Sequence, residues 1–105
     1  MKKRLKRGLK EIARWCKRNR HEPVNKQQET LNAKLRGHYQ YYGRASNFRN
    51  LQRFYHVVCS TWRKWLSRRT RGTPMSWDTF NDLLRRHPLL KPTITHTWAS
   101  SRSPV

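Results

Sequence analysis

Twenty-five Lys and Arg residues stand against only five Asp and Glu in this chain of 105, a formal charge of +20. That imbalance constrains the fold more than any motif does. The chain cannot neutralise itself, so any compact form carries a surface of one sign, and self-repulsion opposes its compaction. A polyanion would relieve the repulsion, which couples folding to a partner. An ordinary acidic or neutral enzyme is excluded. The supply of core residues is also thin: Leu, Ile, Val and Phe make up 19 residues, below the ~20% at which highly charged chains tend to disorder. Five Trp, four Tyr and three Phe act in the other direction, because each large ring buries much area. The expectation is a real but small core.

Apolar spacing predicts helices throughout. In Met1–Arg20, Leu5, Leu9, Ile12 and Cys16 share one stripe, with Trp15 at its edge, and Lys3, Arg7, Lys10, Arg14 and Arg18 lie opposite. Ten bases and the single acid Glu11 occupy this segment. A surface helix at rest would mix signs to gain pairs one turn apart, so this outer face is built for something negative. Pro23 breaks the pattern by disfavouring helix at Glu22. A second helix is expected from about Asn25 to Tyr42, with Gln28, Leu31, Leu35, Tyr39 and Tyr42 inward and His38 beside them. Gly37 within it costs about 1 kcal/mol relative to Ala and suggests close approach of another backbone. Gly43 suits the helix end, and Ser46 or Asn47 suits the next cap.

A third helix covers about Phe48–Arg69, with Leu51, Phe54, Val58, Trp62 and Trp65 as its stripe and Tyr55 and Leu66 alongside. It ends among Arg63, Lys64, Arg68, Arg69 and Arg71, a placement the helix dipole also favours. Gly72 and Pro74 mark a linker. Ser76 caps a short fourth helix that stops before Pro88, with Trp77, Phe80, Leu83 and Leu84 on its apolar side. Beyond it the chain reads as extended or disordered, with Leu89, Leu90 and Ile94 available for docking. The fold class is therefore all-α: a three-helix bundle over residues 1–72, then a short fourth helix and tail over 73–105.

No catalytic set can be assembled. The acids are scattered, apart from Asp78 and Asp82 one turn apart, which read as a capping acid and a solvated one. His56 and Cys59 share a helix spacing but lack the four ligands of a structural zinc site, and Cys16 and Cys59 read as small apolar residues. No cofactor is implied. No apolar run approaches the ~20 residues of a membrane span, and no secretory signal follows the basic start.

What remains is cationic faces interleaved with aromatics. Lys and Arg neutralise phosphates and release counterions, and an exposed aromatic ring stacks on unpaired bases. The candidate RNA-binding residues are Lys3, Arg7, Lys10, Arg14, Arg18, Arg36, Arg49, Arg53, Arg63, Lys64, Arg68, Arg69 and Arg71, with Tyr41, off the inner stripe, as the stacking ring.

The stretch Leu35-Arg36-Gly37-His38-Tyr39-Gln40-Tyr41-Tyr42-Gly43, followed by Asn47-Phe48-Arg49-Asn50-Leu51 and Phe54-Tyr55, resembles the maturase-specific region of bacterial group II intron reverse transcriptase/maturases. Trp62 to Arg69, Trp77 to Pro88 and, upstream, Trp15 to His21 continue the likeness, which spans roughly residues 5–96. By position, Arg36, Gly37, Tyr39, Tyr41, Tyr42, Gly43 and Asn47 match the family's core pattern. The resemblance implies a helical thumb and maturase module that grips intron RNA, and possible contact with an RNA/DNA duplex, while the RNA itself performs the splicing chemistry. It further implies a cytoplasmic ribonucleoprotein setting. Where the family usually carries a second glycine, this chain has Ser46, which alters a turn that glycine would ease. The aromatic-x-Asp-Asp motif of the polymerase is missing, so the chain is expected to be a domain, truncation or remnant that does not polymerise.

Two other readings compete. A small basic DNA-binding regulator would use the second and third helices as a helix-turn-helix, but has no need of the cationic first helix. A membrane-active cationic peptide would use that first helix alone and leave the others unexplained.

Overall fold

The computed structural model describes residues 3–42, 48–69 and 75–92. Among them are four helices and no strand: α1 (Lys3–Arg18), α2 (Val24–Tyr42), α3 (Phe48–Ser67) and α4 (Trp77–Arg86). The expected helices are present, each within two residues of its expected limits. The expected turn residues Gly43, Ser46 and Asn47, the linker 70–74 with Arg71, and Ile94 lie outside the described residues. The side chains of Lys3, Tyr41 and Tyr42 do as well.

α1 closes with the Asn19 side-chain amide and backbone N–H both donating to the Trp15 carbonyl, each at 2.9 Å. Pro23 then starts α2, its carbonyl accepting from the N–H groups of Lys26 and Gln27. This is the place where a proline costs least, since its missing N–H would have had no partner. At α4 the Ser76 hydroxyl accepts from the Thr79 N–H at 3.1 Å, as its capping role requires, and Asp78 sits in the first turn.

The three long helices run up, down and up. Near its C-terminal end α2 places His38 against Gly8 of α1 and Phe54 of α3, and near its start it places Gln27 against Trp62. α1 and α3 therefore run parallel, with their C-termini at the same end. α1 packs chiefly on α3 and also meets α2. Leu5, Ile12, Cys16, Leu31, Leu35, Phe54, Val58 and Trp62 are buried at their centre, and Phe80 of α4 and Leu89 join the same core. Trp62, Phe54 and Phe80 are the largest side chains wholly excluded from water, Trp62 meeting Phe80 edge-on at 5.9 Å. Each contributes roughly 1.5–3 kcal/mol of burial, so rings supply what the low aliphatic content does not.

Three expectations need correction. The inward residue at the start of α2 is Gln27, 1% exposed, and Gln28 lies half-buried beside it. Gln27 is fully engaged: its Oε1 accepts from the Trp62 indole N–H at 3.0 Å, and its Nε2 donates to the Glu22 and Arg20 carbonyls. A buried amide is tolerated on that condition. Gly37 approaches nothing: a Cβ there would have no neighbour within 4 Å. The close approach belongs to Gly8, where a Cβ would lie 2.6 Å from the His38 ring. Finally, Trp77 does not sit on a buried face of α4. It is 48% exposed, and Phe80 alone is that helix's buried residue.

The chain after α4 is tied to α2 by a set of hydrogen bonds. Asn32 donates from Nδ2 to the Pro88 carbonyl at 3.2 Å and accepts the Leu90 N–H on Oδ1 at 2.7 Å. Gln28 also donates to Pro88, at 2.9 Å, and the Tyr39 hydroxyl donates to the Leu90 carbonyl at 2.7 Å. Leu89 is buried between these bonds, while Leu90 is exposed.

Candidate nucleic-acid interface

An amphipathic helix that buries one stripe must display the opposite one, and in α1 the displayed stripe is cationic. Arg7, Lys10, Arg14 and Arg18 are exposed, as are Lys6 and Lys17. Arg36 on α2 and Arg49, Arg53, Lys64 and Arg68 on or just beyond α3 are exposed too, and Arg69 is half-buried. Their charge is not cancelled locally. Arg85 and Asp82 form an ion pair on α4, and none of the α1 or α3 cations pairs with a carboxylate among the described residues.

Arg63 differs from the rest. It is half-buried, with Nη1 donating to the Met75 carbonyl at 2.5 Å and its guanidinium stacked 4.3 Å from the Trp77 ring centroid. Its Nε is buried without a hydrogen-bond partner. Ser67 adds a second tie, accepting the Met75 N–H at 2.9 Å. Arg63 thus joins α3 to the start of α4 and is far less free than its neighbours to meet a ligand.

The parallel course of α1 and α3 brings cations together that are remote in sequence. Trp65, expected on the inner stripe of α3, lies half-buried at its rim. Around its ring stand Lys64 Nζ at 5.1 Å, Arg68 Cζ at 5.6 Å and, from the end of α1, Lys17 Nζ at 5.8 Å. All are within the reach of cation–π attraction. Lys34 similarly approaches Trp15 at 5.9 Å. Lys17 and Lys34 were not among the sequence candidates. The signal for Lys17 was faint, a base two residues past Trp15, and only the packing of α1 on α3 aims it at Trp65.

Tyr39, expected to face inward and matching the family pattern by position, is committed to the Leu90 carbonyl, and burial together with nearby Tyr55 and Cys59 pushes its hydroxyl pKa upward. Among the Trp, Tyr and Phe rings of the described residues the exposed one is Trp77, held edge-on by Phe80 at 5.8 Å and covered on one side by Arg63. Burial also pushes the Cys16 thiol up to about 12 and raises Cys59, so neither presents a thiolate at neutral pH. Among the described residues no group of three His, Cys, Asp or Glu side chains could hold a metal ion, and no helix is long and apolar enough to cross a membrane.

The arrangement suits a polyanion: helices with displayed cations and rings among them. A bundle of this kind defines a class of basic helical domains. The model of the group II intron maturase-specific domain matches residues 3–86, four-fifths of the chain and all four helices, and the chain belongs to that family. Neither a curated protein nor a solved structure matches it.

Proposed function

We propose that the chain is the RNA-binding module of a group II intron maturase, gripping the intron RNA and assisting its folding and splicing. The observation that carries this reading is the family match over the same helices whose exposed faces hold cations, those of α1 and α3 having no carboxylate partner among the described residues. Arg7, Lys10, Arg14 and Arg18 on α1, and Arg49, Arg53, Lys64 and Arg68 at the two ends of α3, are the phosphate contacts. The domain acts as the thumb-side grip of a ribonucleoprotein in the cytoplasm, and an RNA/DNA duplex is a secondary ligand. The chemistry of splicing remains with the RNA.

Phosphate neutralisation makes affinity fall steeply with salt. If 6–10 phosphates are engaged, duplex-type behaviour gives a loss of about 10³–10⁵ between 50 and 200 mM salt, somewhat less for single strands. Filter binding of the chain to a self-splicing group II intron transcript across that range checks this. Splicing of the same transcript at limiting magnesium, with and without the chain, checks the assistance. Binding that ignores salt, or that prefers a duplex DNA operator, defeats the proposal.

A further inference from the structure

The positive charge is not spread evenly over this surface. Trp65 gathers three cations: Lys64 from its own helix, Arg68 from the turn that follows it, and Lys17 from α1. All three lie within 6 Å of one ring centroid, and none has a carboxylate partner among the described residues. Like charges assembled so closely repel, yet the architecture holds them. The C-terminal ends of α1 and α3 lie side by side here, and their dipoles favour cations. The indole face adds a further attraction. The α1 end is also fixed locally, Arg20 Nη1 donating to the Lys17 carbonyl at 2.6 Å. Dipole and ring explain why the cluster is tolerated, but neither cancels its charge.

We infer that Lys17, Lys64 and Arg68, set around Trp65, form a discrete clamp for successive phosphates of one RNA strand, the principal anchor within the wider cationic surface. This rests on the RNA-binding function proposed above. The three charged groups are no more than about 12 Å apart, a span that covers a few backbone phosphates at roughly 3.4 Å of axis per charge on a strand. Because Lys17 comes from α1 and the others from the end of α3 and the turn just beyond it, the bound strand crosses the junction of the two helices and ties them together.

The test compares two charge-matched triple variants binding a self-splicing group II intron transcript. One removes the clamp (K17Q/K64Q/R68Q). The other removes three exposed cations outside it, Lys26, Arg86 and Lys91 (K26Q/R86Q/K91Q). With about 0.7 counterions released per contact, the clamp variant loses about 100-fold in affinity at 0.1 M salt, its log–log salt slope falls by about 2, and it converges on the parent chain near 1 M. The control variant loses less than about 5-fold. Helical circular dichroism verifies that both fold. If the triple substitution unfolds the chain, K64Q/R68Q, confined to the end of α3, is expected to lose about 25-fold. Equal losses in the clamp and control variants overturn the clamp while leaving RNA binding intact. A duplex DNA of equal length bound as tightly as the transcript, with the same loss, overturns its assignment to RNA. A parent chain that does not bind the transcript at any salt instead defeats the proposed function itself.

Discussion

α1 and α2 lie antiparallel in one bundle but hold their neighbours by different means. α1 meets the core through Leu5, Ile12 and Cys16, all 0–1% exposed, and faces its charges outward. α2 does this only with Leu31 and Leu35. Val24 and the Tyr39 ring only flank that core, and its polar side chains make further contacts, Gln27 inside the core and Gln28, Asn32 and the Tyr39 hydroxyl along the backbone of residues 88–90. The difference follows from what each helix touches. A helix packed on helices meets side chains, because their backbone groups are already paired. A helix packed on an extended segment meets bare N–H and C=O groups that need partners. Apolar periodicity reports the first kind of contact and is blind to the second.

The largest expected effect tests the apolar side. Ile12→Ala removes buried carbon from the α1 stripe and should destabilise by about 2–5 kcal/mol, read as a lowered urea midpoint in helical circular dichroism. A loss below about 1 kcal/mol would mean that α1 is not anchored through its stripe.

The two glycines sharpen the comparison next. Gly8→Ala drives a methyl into the His38 ring, which fully buried Phe54 backs at a centroid distance of 5.0 Å. Overpacking costs about 1–3 kcal/mol and the better helix former returns about 1, leaving a net loss of about 1. Gly37→Ala meets open space and should stabilise by about 1 kcal/mol. Urea midpoints shifting in opposite directions would confirm that the α1–α2 approach is at Gly8. A stabilised Gly8 variant would show that the ring moves aside freely.

On the polar side, Asn32→Ala deletes both bonds to Pro88 and Leu90. At an exposed site the expected loss is about 1 kcal/mol, with a local signature: faster hydrogen exchange at Leu90 and little change at Leu31 or Val58. Uniform acceleration across the core would mean that the clamp on residues 88–90 supports the whole bundle.

The four helices were legible in the sequence because their stripes, caps and prolines act locally. The cationic outer faces were legible for the same reason, since a face is set by spacing alone. Residues whose role depends on a neighbouring helix were harder to read. Gln27 and Gln28 are equally polar, and only the position of the Trp62 indole N–H decides which of them turns inward. Gly8 carried a usable signal, a glycine between Leu5 and Ile12 on the apolar stripe, whereas Gly37 attracted the packing argument and has no contact to support it. Trp65 and Trp77 scored as core by apolar spacing, yet both end at the rim among cations, where an indole has a polar use as well as an apolar one.

The smallest expected effect lies where the two modes of packing meet. His38 of α2 is wedged between Gly8 of α1 and Phe54 of α3, with Glu11 and Lys34 the charged groups that act on it. Burial lowers its pKa below the ordinary 6.5; Glu11 opposes the shift and Lys34 adds to it. The unfolded chain therefore takes up this proton at a higher pH than the folded one. The stability held by the neutral imidazole is fully present above pH 6.5, and it is lost as pH falls through 6.5 toward the folded value. His21, His56, His87 and His96 are shared by the parent and an H38N variant, so the difference between the two isolates His38. Urea midpoints at pH 7.5 and pH 5 should show the parent losing more on acidification than H38N. An identical loss in both would mean that the wedge at Gly8 admits the imidazolium as readily as the imidazole, and that the tight contact between α1 and α2 relaxes in solution.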